Sequence, residues 1–109
     1  MKGPFFYNNL MIYYVLKDDG SNFNDVDTAI DAIKLKYAVD IKQQIEIPVD
    51  CYFVVAGINK KYNICVESHY AMGLTIASED EQSKDITFEI ANFLSKEVFN
   101  EKEDMGYKP

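Results

Sequence analysis

The chain has 109 residues, 48% of them hydrophobic and 14% aromatic, so it is long enough to bury one core and too short for two. Its formal net charge is −7, and its eleven basic residues are all lysines. This balance argues against binding to nucleic-acid phosphates or to an anionic membrane surface, and it favours a basic partner.

The first predicted strand covers residues 10–16, where both alternating faces are apolar. One face consists of Leu10, Ile12, Tyr14 and Leu16, and the other of Met11, Tyr13 and Val15. This pattern is typical of a central strand. Residues 5–7 are expected to extend it, with Asn8 and Asn9 forming a bulge or turn.

A helix is predicted over residues 23–37, after a loop at residues 18–22. Its apolar side chains recur at spacings of three and four, which gives one stripe: Phe23, Val26, Ile30, Ile33 and Tyr37. Asn22 is the expected N-cap, and Asp25 stands near the third helical position.

Residues 41–49 alternate in the manner of a strand, with Ile41, Ile45, Ile47 and Val49 on one face. Pro48 makes this an edge strand or the end of a strand. Residues 51–58 and 62–67 are two further strands joined by a turn at residues 59–61, and residues 73–77 form a last short strand.

The second helix follows Ser78, whose spacing to Glu81 fits a capping box. Its predicted apolar face contains Ile86, Ile90, Phe93, Leu94 and Val98. Residues 1–99 therefore form one α+β domain of order β-α-β-β-β-β-α, and residues 100–109 a polar, disordered tail. We expect an antiparallel sheet of four to five strands with two helices packed on one face.

The residues with the strongest potential for catalysis are Cys65 and His69. If residues 62–67 form a strand, Cys65, Glu67 and His69 share one sheet face, as a Cys-His nucleophile would require. We favour the simpler interpretation, in which both cysteines, Cys51 and Cys65, are reduced thiols used for packing. The spacing of these residues matches no metal site, and no cofactor motif is present. The chain is therefore not expected to be an enzyme.

Acidic residues cluster in two segments that belong to the helices and to the loops that open them. The candidate partner-binding residues are Asp18, Asp19, Asp25, Asp27 and Asp31 in the first segment, and Glu79, Asp80, Glu81 and Asp85 in the second. Two helices on one sheet face would join these carboxylates into one negative field that steers a cationic partner. The alternative is a solvated helix surface whose charge serves solubility.

These observations favour a non-enzymatic protein-binding domain. The first hypothesis is an immunity-type or inhibitor protein that neutralises a basic toxin or effector, for example a nuclease, through charge-assisted pairing with lysine or arginine. The alternative is a dimeric secretion or assembly chaperone, and a small Cys/His enzyme is the third hypothesis. Two cysteines and the absence of a signal-peptide pattern lead us to expect a cytoplasmic location.

Overall fold

The alternating strand patterns and the two amphipathic stripes produce six strands and two main helices in the computed structural model, which describes residues 1–6, 11–18 and 21–99. The elements are β1 (Lys2–Phe6), β2 (Ile12–Lys17), α1 (Phe23–Lys34), β3 (Val39–Ile47), β4 (Cys51–Ile58), β5 (Tyr62–His69), β6 (Gly73–Ser78), a 3-10 turn (Glu81–Ser83), α2 (Lys84–Phe93) and a π-helical turn (Leu94–Val98). The predicted tail at residues 100–109 lies outside the described residues.

The six strands form one sheet of order β1-β2-β6-β5-β4-β3, and every neighbouring pair is antiparallel. The predicted α+β class is thus confirmed. The strand count is one above the expected four to five, because residues 2–6 form a strand of their own instead of extending β2. Phe5 pairs with Tyr13 across the two strands, and the intervening residues 7–10 lie outside the described range.

Both helices pack on the same face of the sheet, as predicted. Helix α1 lies on β4 and β5, whereas α2 lies on β2 and β6. Tyr14, Ile76, Val66 and Val54 stand in one cross-strand row beneath them and are at most 3% exposed. The period-two alternation therefore places the core between this face and the helices.

The start of α1 agrees with the sequence pattern. Asn22 occupies the N-cap with extended backbone angles, and the carboxylate of Asp25 accepts a hydrogen bond from the backbone N–H of Asn22 at 2.9 Å. This contact satisfies a donor that the first helical turn leaves unpaired. Val26, Ala29, Ile30 and Ile33 are buried, so the predicted stripe faces the sheet.

Strand β3 lies at the edge of the sheet, as Pro48 indicates, but one predicted side-chain direction is wrong. The register shifts between Ile41 and Gln43, so Ile41 pairs with Ala56 on the helix side, whereas Ile45 pairs with Phe53 on the opposite face. A β-bulge adds one residue to a strand and so reverses the alternation beyond it. The expectation that Ile41 and Ile45 share a face fails for this reason.

The predicted capping role of Ser78 is also wrong. Ser78 is the last residue of β6, is fully buried, and its hydroxyl accepts a hydrogen bond from the backbone N–H of Ile12 at 3.0 Å. Asp80 is the actual cap: its carboxylate accepts from the backbone N–H of Ser83 at 3.0 Å and from the side-chain amide of Asn63 at 3.1 Å. A carboxylate at the start of the 3-10 turn, four residues before α2, thus fixes the entry to that helix.

Substitution of Asp80 tests this assignment. We expect Asp80→Ala to lower the free energy of unfolding by about 1 kcal/mol, because the Ser83 N–H loses one of its two acceptors and the Asn63 amide loses its carboxylate acceptor. Urea unfolding followed by circular dichroism measures the loss. Glu81→Ala, in the same turn but exposed, is the control and should change stability by less than about 0.5 kcal/mol. Equal losses in the two variants would contradict the capping role of Asp80.

Candidate functional site

The sheet face opposite the helices is not covered by any described element, and we call it the open face. Three of its cross-strand rows are mostly apolar and half-buried: Phe5, Tyr13, Ala77, Cys65, Val55 and Gln43; Val15, Thr75, Glu67, Phe53 and Ile45; and His69, Cys51 and Ile47. A fourth row, Asp40, Gly57 and Asn63, is polar and lies beside Lys42, and Lys2 pairs with Val15 at the other edge of the sheet. An apolar surface of this kind on a small domain is typical of an interaction site.

The open face contains a cavity of about 430 Å³, which lies within the range of protein ligand sites, about 300–1,000 Å³. It is lined by Phe6, Tyr13, Phe53, Cys65, Glu67, His69, Met72, Thr75, Ala77 and Glu79. The register places Cys65 and Ala77 side by side in the floor, with aromatic rings from the flanking strands beside them. Five of the six strands or their adjoining turns therefore build this one site.

The lining contains two carboxylates, Glu67 and Glu79, and no lysine. Their field acts on Cys65, whose pKa is raised to about 12 by burial first and then by the charges of Glu79 and Glu67. Burial and the nearby Asp80 carboxylate raise the pKa of Glu79 itself. The cavity thus disfavours any additional negative charge.

The structure confirms that Cys65, Glu67 and His69 share one sheet face, but it does not bring the cysteine and the histidine together. Residues four apart along an extended strand have Cα atoms about 13 Å apart, far beyond the roughly 3 Å that a nucleophile-base pair requires. Instead, Cys51 stands directly opposite His69. Sequence spacing gave no sign of this pair, because it depends on the register between β4 and β5.

Neither thiol has the environment of an activated nucleophile. Burial and Glu67 raise the pKa of Cys51, as burial and the two carboxylates raise that of Cys65. The Nδ1 atom of His69 accepts a hydrogen bond from the backbone N–H of Ala71 at 3.0 Å, and its ring stacks on Tyr70. Reactive cysteines have cationic neighbours that lower the pKa, and here the neighbouring charges are negative.

Several of the acidic residues predicted to bind a partner have partners within the fold. Asp18 is ion-paired with Lys2. Asp25 caps α1 and lies 3.2 Å from the ammonium of Lys17. Asp19 lies outside the described residues. These interactions reduce the charge that this segment offers to a partner.

The remaining acids of α1 border a shallow groove on the helix side. Asp27 accepts a hydrogen bond from the hydroxyl of Tyr52 at 2.7 Å, and Asp31 is exposed beside it. The groove has a volume of about 300 Å³, and Lys34 also lines it. It is therefore a mixed-charge surface, not a purely acidic one.

The second acidic segment is divided between the two sides of the molecule. Asp80 is used as a cap, Glu81 and Asp85 are exposed near the start of α2, and Glu79 lines the cavity of the open face. The predicted continuous negative field over the helices is therefore interrupted. The aromatic and small residues of the cavity were not predicted as site residues, although alternation over residues 73–79 places Thr75, Ala77 and Glu79 on one face.

Within the described part of the chain, no group of three or more histidine, cysteine or acidic side chains is placed to hold a metal ion. Both cysteines are free. None of the described helices is long and apolar enough to cross a membrane.

Comparisons with protein-family models, with curated proteins and with solved structures found no match for this chain.

The raised pKa of Cys65 predicts slow alkylation. At pH 8 we expect iodoacetamide to modify Cys65 more than about tenfold more slowly than glutathione, because little thiolate is present. Glu79→Gln should accelerate the reaction, since one carboxylate beside the thiol is neutralised. Mass spectrometry of the Cys65 peptide gives the rate, and the chain unfolded in urea is the control. A native rate equal to that of glutathione would show that the thiol is not in this environment.

The raised pKa of Glu79 predicts a pH-dependent stability. A folded-state pKa above the ordinary value of 4.5 means that the contribution of this group is fully present below pH 4.5 and is lost as the pH rises through the raised value. Glu79→Gln should therefore be more stable than the wild-type chain at pH 7, and the difference should shrink by pH 4. Urea unfolding at both pH values measures it, with Glu81→Gln as the matched control. A wild-type chain more stable than Glu79→Gln at pH 7 would contradict the prediction.

Proposed function

We propose that this chain is a non-enzymatic domain that binds a basic protein through its open face and acts as an inhibitor or immunity protein. The observation that carries the proposal is the uncovered, mostly apolar sheet face with a cavity that contains two carboxylates and no lysine. Apolar surface in contact with water raises the free energy of a folded domain, and burial of that surface against a partner removes this cost.

The composition of the open face supports protein recognition. Aromatic side chains such as Tyr13 and Phe53 are enriched among the residues that dominate binding energy, and they act best at the centre of an interface. Here Phe53 pairs with Ile45, and Val55 lies on the same face of β4, so the apolar area extends towards the edge strand. The carboxylates of Glu67 and Glu79 supply the polar contacts that select a cationic partner.

The net charge of −7 supports a basic partner over an acidic one. Long-range attraction raises the rate of association even when the charges do not touch the partner. The exposed acids Asp31, Glu81 and Asp85 contribute to this field without forming the contact surface. An enzyme that acts on nucleic acid has a basic substrate site, so a domain that presents carboxylates around an apolar centre has the chemistry to block it.

The second candidate is a dimeric secretion or assembly chaperone, because two copies pairing their open faces would also bury this apolar surface. Such pairing would bring the Glu67 and Glu79 carboxylates of both copies into one low-dielectric interface. Like charges in that position oppose association. The charge distribution therefore favours a basic partner over a second copy.

Two lysine substitutions with the same change in net charge test the binding surface. We expect Val55→Lys, on the open face, to weaken the complex with a basic partner at least about tenfold, because it places a cation and a polar group inside the interface. Thr28→Lys, exposed on α1, should weaken it less than about threefold. The partner is captured at low salt and purified, affinities are measured by calorimetry, and circular dichroism checks that both variants fold.

The reverse order of the two effects would locate the interface on the helices and overturn the proposal. Affinity that does not change between 50 and 300 mM salt would contradict the basic character of the partner, because attraction between exposed charges weakens as the Debye length shortens.

The size of the free chain in solution separates the two candidate functions. We expect light scattering to give the mass of one chain at micromolar concentration, because the carboxylates of the open face repel those of a second copy. A dimer that Val55→Lys dissociates would instead favour the chaperone. Thr28→Lys is again the control for the change in charge.

A further inference from the structure

We propose that the cavity of the open face is a receptor for one arginine or lysine side chain of the partner protein. This inference rests on the proposed function and adds the chemical group that is recognised. The features that carry it are the aromatic walls, the two carboxylates at opposite ends of the cavity, and the size of the space between them.

The walls of the cavity suit the stem of a long cationic side chain. Phe6, Tyr13 and Phe53 line the cavity together with Met72. Aromatic rings attract guanidinium and ammonium groups through their quadrupoles, and they pack against the methylene groups that carry those charges. A site for a hydrated metal ion would present oxygen ligands instead of rings and thioether.

The two carboxylates approach the floor of the cavity from opposite ends. Glu67 stands in the cross-strand row of Thr75, whereas the backbone of Glu79 binds that of Asn63, four residues earlier on β5. That separation is about 13 Å along the strand, and Cys65 lies midway. Both side chains can extend from these positions towards the middle of the cavity, so the two carboxylates can contact one cationic head group above Cys65 from opposite sides.

The thiol of Cys65 reports the sign of the field in the space between the carboxylates. Both Glu67 and Glu79 raise its pKa, so both charges act at the floor of the cavity. Burial, the largest cause of the raised pKa, disfavours any ion at this position, but the negative field of the two carboxylates opposes only an anion and favours a cation. A neutral side chain in the same place would offer the two carboxylates no counter-charge.

The surroundings favour a side chain of a protein over a free amine. The cavity opens onto the apolar rows of the open face, where Val55 and Ile45 remain half-buried. Residues on either side of the inserted arginine or lysine would cover this area. A free amine would leave it exposed to water and gain nothing from it.

Nuclear magnetic resonance titration of the full chain with defined probes tests the inference. The first probe is N-acetyl-arginine methylamide, and its neutral isostere, N-acetyl-citrulline methylamide, is the matched ligand control. We expect the arginine probe to shift the amide signals of Cys65, Thr75 and Ala77 and to bind at least about fivefold more tightly than the citrulline probe. A five-residue peptide with a central arginine between leucines should bind more tightly still.

Carboxylate-to-amide variants assign the site. Glu67→Gln and Glu79→Gln should each weaken binding of the arginine probe at least about threefold, because each removes one charge-assisted contact. Glu81→Gln, exposed outside the cavity, is the matched control and should leave affinity unchanged. The amide spectra of the variants show that each remains folded.

Three results would overturn the inference: equal binding of the citrulline and arginine probes, signal changes centred on Asp27 and Asp31 instead of Cys65, or a free arginine probe that binds as tightly as the peptide. The inference can also fail while the proposed function stands. If Val55→Lys abolishes binding of the partner while Glu67→Gln and Glu79→Gln do not weaken it, the open face is the interface and the cavity is not the cation receptor.

Discussion

The architecture depends on one mismatch: strands with apolar side chains on both faces, and helices that shield only one of them. β4 illustrates it, because Val54 and Ala56 are buried beneath α1 whereas Phe53 and Val55 point to the opposite side and stay half-buried. A strand buried on both faces normally requires a second layer. Within the described residues this chain has none, so the second apolar face is available to another molecule.

The electrostatics of the cavity follow from its lining, which contains two carboxylates and no lysine. Glu67 and Glu79 line it among aromatic and small residues, and the charges of both add to burial in raising the pKa of Cys65. On the helix side, Asp25 is paired with Lys17, and Asp27 accepts a hydrogen bond from Tyr52. Acidic residues that look equivalent in sequence thus have different roles: some stabilise the fold, and two face an apolar cavity.

Local sequence rules predicted the elements, and non-local register determined the site. The cap of α1, the hairpin of β4 and β5, and the edge position of β3 follow from periodicity and turn chemistry, and the structure confirms them. The stripe of α1 is confirmed up to Ile33, but the helix ends at Lys34, so Tyr37 lies beyond it. The predicted direction of Ile41 is wrong because one bulge reverses the alternation of side chains beyond it. The predicted capping role of Ser78 is wrong because Ser78 and Glu81 have the spacing of a capping box, although Asp80 is the residue that caps the turn. The pairing of Cys51 with His69 and the cavity itself depend on contacts between strands, which no periodicity encodes.

The proposed function places the contact surface on the open face of the sheet and not on the acidic helices. Methyl resonances test this placement most directly, because Ile45 and Val55 report on the open face, and Leu35, 87% exposed at the end of α1, reports on the helix side. We expect a bound basic partner to shift or broaden the signals of Ile45 and Val55 and to leave that of Leu35 unchanged. Changes at Leu35 with unaltered signals at Ile45 and Val55 would contradict it.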